Sequence, residues 1–239
     1  MSLSPGRFSP PVHTALTEML AQRAASDERP LAVFDWDNTC ISGDIGEAVL
    51  RHLDACGHHP GCVARYEELC ETYDKTVGYQ YCAETLGGLS HEDAEALITG
   101  VIDEHLASGD IRLRPEIHDL MNRMRDAGWD VWVVTASAEP IVEVFAAHYD
   151  VPRDRVIGMQ LERTDEGIEP RLVGPITYRQ GKVDAIDQRI GRRPTFAAGD
   201  ALTDYEMLHS AQHVLLFDNG DEELLQSAGE RGWMVQTPF

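Results

Sequence analysis

Residues 31–40 read LAVFDWDNTC, and both the fold class and the chemistry can be approached from this short run. Its first four residues are apolar, and a continuous apolar run of this length is typical of a buried strand. Two carboxylates follow at once, Asp35 and Asp37. A parallel strand that is buried on both faces reaches ligands at its carboxyl end, so these two acids fall where α/β proteins place their binding sites.

Two carboxylates this close in sequence repel each other unless a cation or a proton lies between them. Hard divalent cations prefer oxygen ligands, so the pair Asp35 and Asp37 favours Mg2+. The alternative is an acidic turn after a strand, because Asp and Asn are frequent in turns for conformational reasons. The motif by itself does not separate these two interpretations.

Composition limits the classes of partner. The chain has 239 residues and a formal net charge of -21, so it has no general electrostatic attraction to nucleic acid or to an anionic membrane. An anion site in such a chain would need a metal, a placed Lys or Arg, or backbone N–H groups. No apolar run approaches the length of a membrane-spanning helix. We therefore expect no nucleic-acid partner and no membrane partner.

The N-terminal residues 1–11 contain Pro, Ser and Gly but no apolar core of a signal peptide. A cytoplasmic, reducing location is therefore the default expectation. Five cysteines fall between positions 40 and 82, and one tract offers Cys56, His58, His59 and Cys62. The tract could in principle hold zinc or close a disulfide loop, but its spacing matches no common zinc pattern. Reduced thiols are the favoured interpretation.

The second half of the chain alternates between apolar strand-like runs and helical patterns, which predicts a doubly wound, Rossmann-like parallel sheet of the α/β class. Residues 160–176 are expected to form a short β-hairpin or an excursion from the sheet, and residues 11–25 an amphipathic helix. After the first strand, further strands are expected at residues 131–134, 156–159, 195–198, 214–217 and 233–235.

Residues 41–110 differ from the rest, because they show several helical patterns and no strand-like run. We interpret this segment as an all-helical domain inserted into the α/β core. The core would then comprise residues 1–40 and 111–239.

Polar residues follow other predicted strands as well. The strand at 131–134 is followed by Thr135, Ala136 and Ser137, whose hydroxyls and backbone N–H groups could bind phosphate oxygens. The strand at 195–198 is followed by Asp200 and Asp204, a second acidic pair that could share a metal with Asp35. The alternatives are an N-cap for a helix at 140–148 and turn chemistry with an N-cap at Asp204.

Lys182 lies near the start of a predicted helix, where a cation is electrostatically unfavourable unless it meets an anion. The alternative for this lysine is a solvated surface position.

Taken together, the set resembles the haloacid dehalogenase superfamily of phosphohydrolases. The four motifs are residues 35–39 (DWDNT), Thr135, Lys182, and Gly199–Asp200 with Asp204. The resemblance covers about residues 30 to 218 and is closest to the phosphoserine phosphatase and phosphorylcholine phosphatase-like branch. Within that branch, residues 41–110 would be the C1-type helical cap.

The resemblance implies a Mg2+-dependent phosphatase that acts on a small phosphorylated metabolite. Asp35 would be the nucleophile that forms an aspartyl-phosphate, and Asp37 would be the general acid and then the general base. Thr135 and Lys182 would hold the phosphoryl oxygens. The Mg2+ ligands would be the Asp35 side chain, the Asp37 backbone carbonyl and Asp200, with Asp204 as a ligand or as the group that orients a metal-bound water.

The resemblance also implies where the substrate alcohol lies. Asp44 is nine positions after the nucleophile, where the phosphoserine phosphatase branch has an acid that contacts the substrate amine. Asp44 could instead be the N-cap of a helix at 45–55. Trp36 could offer a face to an ammonium head group, together with the tyrosines of residues 66–81. For most of those tyrosines, packing within the cap is the favoured interpretation.

Two alternatives to hydrolysis stay open at this point. A phosphotransferase or phosphomutase would pass the phosphoryl group to an acceptor other than water. A regulatory or binding module could use the same fold without catalysis, although every expected catalytic residue type is present. The sequence leaves the oligomeric state open.

Overall fold

The computed structural model of the chain describes residues 3–4, 6–21, 29–73 and 75–239. A six-stranded parallel sheet forms its centre, and helices lie on both faces. The sheet contains, in chain order, β1 (Leu31–Phe34), β4 (Asp130–Ala138), β5 (Val156–Met159), β8 (Phe196–Gly199), β9 (His213–Phe217) and β10 (Met234–Gln236). The remaining strands are β2 (Ile41–Ser42), β3 (Arg112–Leu113), β6 (Leu161–Arg163) and β7 (Ile168–Leu172).

The predicted α/β class and the doubly wound parallel sheet are confirmed. The expected strands after the first are all found, and the expected hairpin is β6–β7. The N-terminal helix ends at Ala21, and the rest of its predicted range, residues 22–25, lies outside the described residues. The α-helices are α1 (Pro10–Ala21), α2 (Ile45–Ala55), α3 (Cys62–Thr72), α4 (Lys75–Glu84), α5 (His91–Ser108), α6 (Pro115–Asp126), α7 (Glu139–Phe145), α8 (Gln180–Arg189), α9 (Tyr205–Ser210) and α10 (Glu222–Arg231).

The strand order β10-β9-β8-β1-β4-β5 places β1 between β8 and β4. Val33 lies beside Trp132 on one side and Ala197 on the other. Since all three strands run in the same direction, their carboxyl ends meet at one edge of the sheet. The Asp35 N–H continues this pairing beyond β1, because it donates to the Ala198 carbonyl at 2.9 Å.

All four residues of β1 are buried, and they alternate between the two faces of the sheet. Leu31 and Val33 pack with the apolar residues of α8, α9 and α10. Ala32 and Phe34 pack in the larger cluster with α1, α6 and α7. A central strand buried on both faces therefore fixes the sheet position from which Asp35 extends.

Helices α2 to α5 lie between two short strands that pair antiparallel, with Ile41 opposite Leu113 and Ser42 opposite Arg112. The expectation that residues 41–110 are entirely helical is wrong at this point, because β2 falls inside the segment. A two-residue strand has too short an apolar run to be recognised by periodicity. The division into two domains stays a prediction.

The β6–β7 hairpin contacts the inserted helices through the loop between α4 and α5. The Gly88 N–H donates to the Ile168 carbonyl at 2.8 Å, and the Ile168 N–H donates to the Leu89 carbonyl at 2.9 Å. Among the described residues, no helix combines the length and the apolar character needed to cross a membrane.

We predict that α1 is part of the structural core. Leu16 is fully buried in the cluster that includes Phe34, so the change Leu16→Ala should lower the free energy of unfolding by about 2–5 kcal/mol. Urea denaturation would measure this. The control Glu18→Ala changes an exposed residue of the same helix and should cost less than about 0.5 kcal/mol. Equal effects of the two changes would show that α1 contributes little to the core.

Candidate active site

The loop after β1 folds back on itself. Asn38 has a positive φ of 57°, a conformation that Asn tolerates better than most residues. Its backbone N–H donates to the Gly43 carbonyl at 3.1 Å, and its side-chain Oδ1 accepts from the Gly43 N–H at 3.1 Å. The Cys40 thiol donates to the Asp35 carbonyl at 3.0 Å. These contacts hold Asp35 and Asp37 at the edge of the sheet.

Lys182 joins the first and the last of the predicted motifs. Its Nζ lies 2.6 Å from Asp35 Oδ1, 2.5 Å from Asp204 Oδ1 and 3.0 Å from the Val134 carbonyl. An ammonium group has three N–H donors, so all of them have an acceptor. The side chain is 0% exposed, which rules out the alternative of a solvated surface lysine.

Asp200 lies at the carboxyl end of β8 and is held from two sides. Its Oδ1 accepts from the Thr39 hydroxyl at 3.4 Å, and its Oδ2 accepts from the Asn219 side-chain amide. Asp204 Oδ2 accepts from the backbone N–H of Asp200 at 3.1 Å and of Ala201 at 3.3 Å. The suggested turn chemistry at Asp204 is therefore present, together with its contact to Lys182.

Burial and mutual repulsion perturb these carboxyls. Burial and the Asp204 charge raise the pKa of Asp35 to about 6, although the Lys182 ammonium opposes the shift. Burial, Asp35 and Asp204 raise the pKa of Asp200 to about 9. The pKa of Lys182 is raised by Asp204 and Asp35 against the effect of burial, so this lysine stays charged. The site therefore has an excess of negative charge that favours a proton or a cation.

The donor set fits a hard cation. Carboxylate oxygens of Asp35, Asp200 and Asp204 all lie within 4.8 Å of one another and are buried. Three carboxylates against one ammonium leave two negative charges, which a divalent cation would offset. Asp204 Oδ1 accepts from the Lys182 ammonium and its Oδ2 from two backbone N–H groups, and its role as a ligand or as an orienting group stays a prediction.

Asp37 faces away from this group. Its Oδ1 accepts from the Ile45 N–H at 2.8 Å, and its Oδ2 accepts from the Ser137 hydroxyl at 2.7 Å. Burial and the nearby Asp44 raise the pKa of Asp37 well above its usual value. The carboxyl can therefore carry a proton at a pH where an exposed Asp would be ionised. A metal contact through its backbone carbonyl stays a prediction.

Thr135, Ala136 and Ser137 form the last part of β4, which runs to Ala138, instead of following the strand. Thr135 is buried, and its hydroxyl accepts from the Ser137 N–H at 3.0 Å. Helix α7 has Ala138 as its N-cap, with no side-chain capping bond. The alternative that these hydroxyls serve as N-caps is therefore wrong.

The expectation that Trp36 offers a face to the substrate is contradicted. Its side chain is 0% exposed, and its ring lies 5.3 Å from both Phe145 and Tyr149 in edge-to-face geometry. Because side chains alternate along an extended chain, Trp36 points into the core while Asp35 and Asp37 point toward the site. Trp36 therefore packs in the core and does not contact substrate.

Asp44 is the N-cap of α2, since its Oδ1 accepts from the Glu47 N–H at 2.8 Å. The structural alternative for this residue is therefore confirmed, but Asp44 also lines a small pocket with Ala136, Ser137, Tyr66 and Tyr79. Capping and a substrate contact are compatible because a carboxylate has a second oxygen.

The other two tyrosines of residues 66–81 do not line this pocket. Tyr73 is 63% exposed, and Tyr81 packs against the core of the inserted helices.

Cysteine chemistry is simple in this chain. All five cysteines are free thiols, as favoured by the sequence. Cys62 is buried and donates to the Leu50 carbonyl, whereas Cys56 is exposed. In the part of the chain that the structure describes, the acidic group at the sheet edge is the only set of three or more potential metal ligands brought together. The tract Cys56, His58, His59 and Cys62 forms no such group.

Sequence reasoning missed three residues that hold the site. Arg114 is buried and donates to the carbonyls of Asn38 at 2.5 Å and Thr39 at 3.1 Å. The Tyr149 hydroxyl accepts from the Arg114 N–H at 2.7 Å and donates to the Cys40 carbonyl. These contacts connect distant parts of the chain and have no local sequence signal.

The third missed residue, Asn219, donates to Asp200 and is the second residue after β9. The rule that polar residues after strands reach the site could have identified it.

The sequence pattern of haloacid dehalogenase-like hydrolases matches residues 32–209, which contain the four predicted motifs with Asp35, Asp37, Thr135, Lys182, Asp200 and Asp204. The chain belongs to the haloacid dehalogenase-like hydrolase family. This confirms the resemblance inferred from the four motifs.

Two named phosphatases are similar to the chain. It is 28% identical over 235 residues to phosphoserine phosphatase SerB2 of Mycobacterium tuberculosis, which covers 91% of this chain and 53% of that protein. It is 26% identical over 257 residues to phosphorylcholine phosphatase of Pseudomonas aeruginosa, which covers 78% of this chain and 71% of that protein. The chain thus spans about half the length of the first relative and less than three quarters of the second.

Solved structures share the fold of this chain. A conserved protein of unknown function from Anaerococcus prevotii has a TM-score of 0.78 at 19% identity, covering 98% of this chain and 93% of that one. A substrate-bound phosphoserine phosphatase complex has a TM-score of 0.59 at 15% identity, covering 89% of this chain and 95% of that one.

We predict that Tyr149 stabilises the loop that carries the two acids. The change Tyr149→Phe leaves the buried Cys40 carbonyl and Arg114 N–H without their partner, so the free energy of unfolding should fall by about 1–3 kcal/mol. Urea denaturation measures the loss. The matched control Tyr73→Phe removes the hydroxyl of an exposed ring and should leave stability nearly unchanged. A neutral Tyr149→Phe would show that the loop does not depend on this hydroxyl.

Proposed function

We propose that the protein is a Mg2+-dependent phosphatase that hydrolyses a small phosphomonoester bearing an amino group, through an aspartyl-phosphate on Asp35. The observation that carries this proposal is the buried Asp35–Lys182 contact with a second carboxyl, Asp37, two residues away and raised in pKa. One carboxylate is thereby prepared to attack and the other to hold a proton. Two acids in different environments are the usual arrangement for such paired roles.

In the first step an Asp35 carboxylate oxygen forms a bond to phosphorus, and the bond from phosphorus to the alcohol oxygen breaks. Asp37 gives its proton to that leaving oxygen, so the alcohol departs neutral. Lys182 holds Asp35 in position, and its charge offsets the charge of the transferring phosphoryl group. Thr135 and the N–H groups at the end of β4 would contact the phosphoryl oxygens.

In the second step a water attacks phosphorus, and Asp37, now ionised, takes up a proton from that water. The bond between phosphorus and Asp35 breaks, which releases inorganic phosphate and restores both carboxyls to their starting states. A solved phosphoserine phosphatase described as a phospho-aspartyl intermediate analogue has a TM-score of 0.58 to this chain. That structure supports the same intermediate here by analogy of fold.

Asp37 also favours phosphate ester hydrolysis over dehalogenation. A halide leaves as a stable anion and needs no proton, whereas an alkoxide does. Ser137 and Ile45 hold Asp37 so that its carboxyl stays at the edge of the pocket lined by Asp44.

Mg2+ would be held by Asp35 and Asp200, with Asp204 and Asn219 fixing their surroundings. It would supply a positive charge that offsets the phosphate charge in this acidic site. We place the enzyme in the reducing cytoplasm, in agreement with its five free thiols. Its partner would be a small phosphorylated metabolite, as the names of its two relatives indicate for those enzymes.

We predict that Asp35 is essential for turnover. The change Asp35→Asn removes the nucleophilic carboxylate and should reduce phosphate release by about a thousandfold or more. The assay uses p-nitrophenyl phosphate and a panel of aminated phosphoesters with Mg2+. The control Asp187→Asn changes an exposed carboxylate on α8 and should retain the original rate.

Unchanged turnover in Asp35→Asn would overturn the mechanism. Release of the alcohol without inorganic phosphate, in the presence of a second alcohol, would favour phosphoryl transfer to that acceptor over hydrolysis.

We predict that Mg2+ binds to the folded protein at the acidic group. At a Mg2+ concentration about 100 times its Kd, binding adds about 2.7 kcal/mol of stability. For a chain of this size the melting temperature should then rise by roughly 5–10 °C. Asp200→Asn should remove most of this rise, and Asp187→Asn should retain it.

The same measurement at different pH values tests the role of Asp200. Because the pKa of Asp200 is raised to about 9, the cation must displace a proton, so the affinity should increase as the pH rises from about 6. Equal rises in Asp200→Asn and in the original chain would place the cation elsewhere.

A further inference from the structure

A small pocket lies next to Asp37, on the side away from the three clustered carboxylates. Ser137 lines it and donates to Asp37 Oδ2 at 2.7 Å. Its walls come from the inserted helices and include Asp44, Glu47, Tyr66 and Tyr79. Since Asp37 would protonate the leaving oxygen, the pocket lies where the substrate alcohol must extend.

The charged residues that line this pocket are all acidic. Its lining contains two carboxylates, Asp44 and Glu47, and no Lys, Arg or His among the described residues. Arg51 lies outside the lining, with Nη2 3.5 Å from Glu47 Oε2, and both side chains are exposed to solvent, Arg51 by 61% and Glu47 by 43%. An exposed ion pair of this kind contributes little, so the pocket stays negative.

Aromatic rings complete the lining. The ring centroids of Tyr66 and Tyr79 are 6.3 Å apart, with an angle of 71° between the ring planes. Tyrosine faces attract a cation and do not attract an anion. The rings and the two carboxylates therefore select for the same charge.

The space is also small. The pocket offers about 20 Å³ for the centre of a water-sized group, and about 10–15 Å³ is enough for one water. A primary ammonium group is of this size. A trimethylammonium group is larger and has no N–H to donate to Asp44 or Glu47.

We propose that this pocket binds the primary ammonium group of a substrate alcohol that carries no carboxylate, with Asp44 and Glu47 accepting its hydrogen bonds. This inference rests on the phosphatase function proposed above and narrows its substrate to the ethanolamine phosphate type. Phosphoserine has the same ammonium group but adds a carboxylate. That carboxylate would meet two acids and no base, so the charges of Asp44 and Glu47 would repel it.

The test compares kcat/KM for phosphoethanolamine, phosphoserine, phosphocholine and p-nitrophenyl phosphate with Mg2+. Phosphoethanolamine should exceed both phosphoserine and phosphocholine by about tenfold or more. The first comparison isolates the carboxylate, and the second isolates the methyl groups. A value for phosphoserine or phosphocholine equal to or above that for phosphoethanolamine would overturn the proposal.

Two variants test the named residues. Glu47→Gln removes one negative charge, so the ratio of kcat/KM for phosphoethanolamine to that for phosphoserine should fall by about three- to tenfold. Asp44→Asn removes the other charge, and because Asn is as good an N-cap as Asp, it should lower the same ratio with α2 retained. The matched control Glu67→Gln changes an exposed acid on α3 and should leave the ratio as it is.

The assay with p-nitrophenyl phosphate distinguishes a failure of the ammonium pocket from a failure of the phosphatase function. Hydrolysis of this aryl ester, together with a ratio that neither variant changes, would overturn the ammonium pocket and leave the phosphatase function standing. No hydrolysis of any of the four esters would overturn the proposed function itself.

Discussion

Three carboxylates and one ammonium group share the carboxyl edge of the sheet, and most of the site follows from how their charges are accommodated. Lys182 is fully buried and uses all three of its N–H donors on Asp35, Asp204 and the Val134 carbonyl. Loss of one partner of a buried ion pair costs about 3–5 kcal/mol, because the remaining charge has no water to solvate it. The lysine is therefore as much a structural requirement of the fold as a participant in the chemistry.

Asp35 and Asp37 are two residues apart, yet their environments separate their roles. Asp35 faces Lys182, whose charge favours ionisation, whereas Asp37 faces the neutral hydroxyl of Ser137 and the negative charge of Asp44. The separation depends on α2 lying close to the end of β4. Gly46 makes that approach possible, since a Cβ there would lie 2.9 Å from the Ser137 hydroxyl. Long-range packing, and not the motif alone, thus gives the second acid its raised pKa.

The sheet and the motif residues could be predicted because both depend on local rules. Apolar runs predicted the strands, and the carboxyl ends of parallel strands bring Asp35 and Asp200 to one edge, where Lys182 from the start of α8 meets Asp35. The hydrogen bonds from Arg114 and Tyr149 to the loop after β1 could not be predicted, because they join segments that are far apart in sequence. Trp36 was misassigned for a related reason: alternation along the chain puts it on the inner side, and proximity in sequence to two site residues does not decide which way a side chain points.

The pocket beside Asp37 shows why substrate selection is hidden from sequence patterns. Its lining is drawn from α2, α3, α4, α7 and the end of β4, so no single motif contains it. Its walls are also held from outside: the β6–β7 hairpin bonds to the loop after α4 at Gly88 and Leu89, and Tyr178 before α8 packs on Tyr79 at 5.6 Å. The inserted helices are thus attached to the core at the β2–β3 ribbon and again at this hairpin. Because the inserted helices are held against the core, the wall that they present to the pocket has a defined shape, and such a wall can distinguish an ammonium group from a carboxylate.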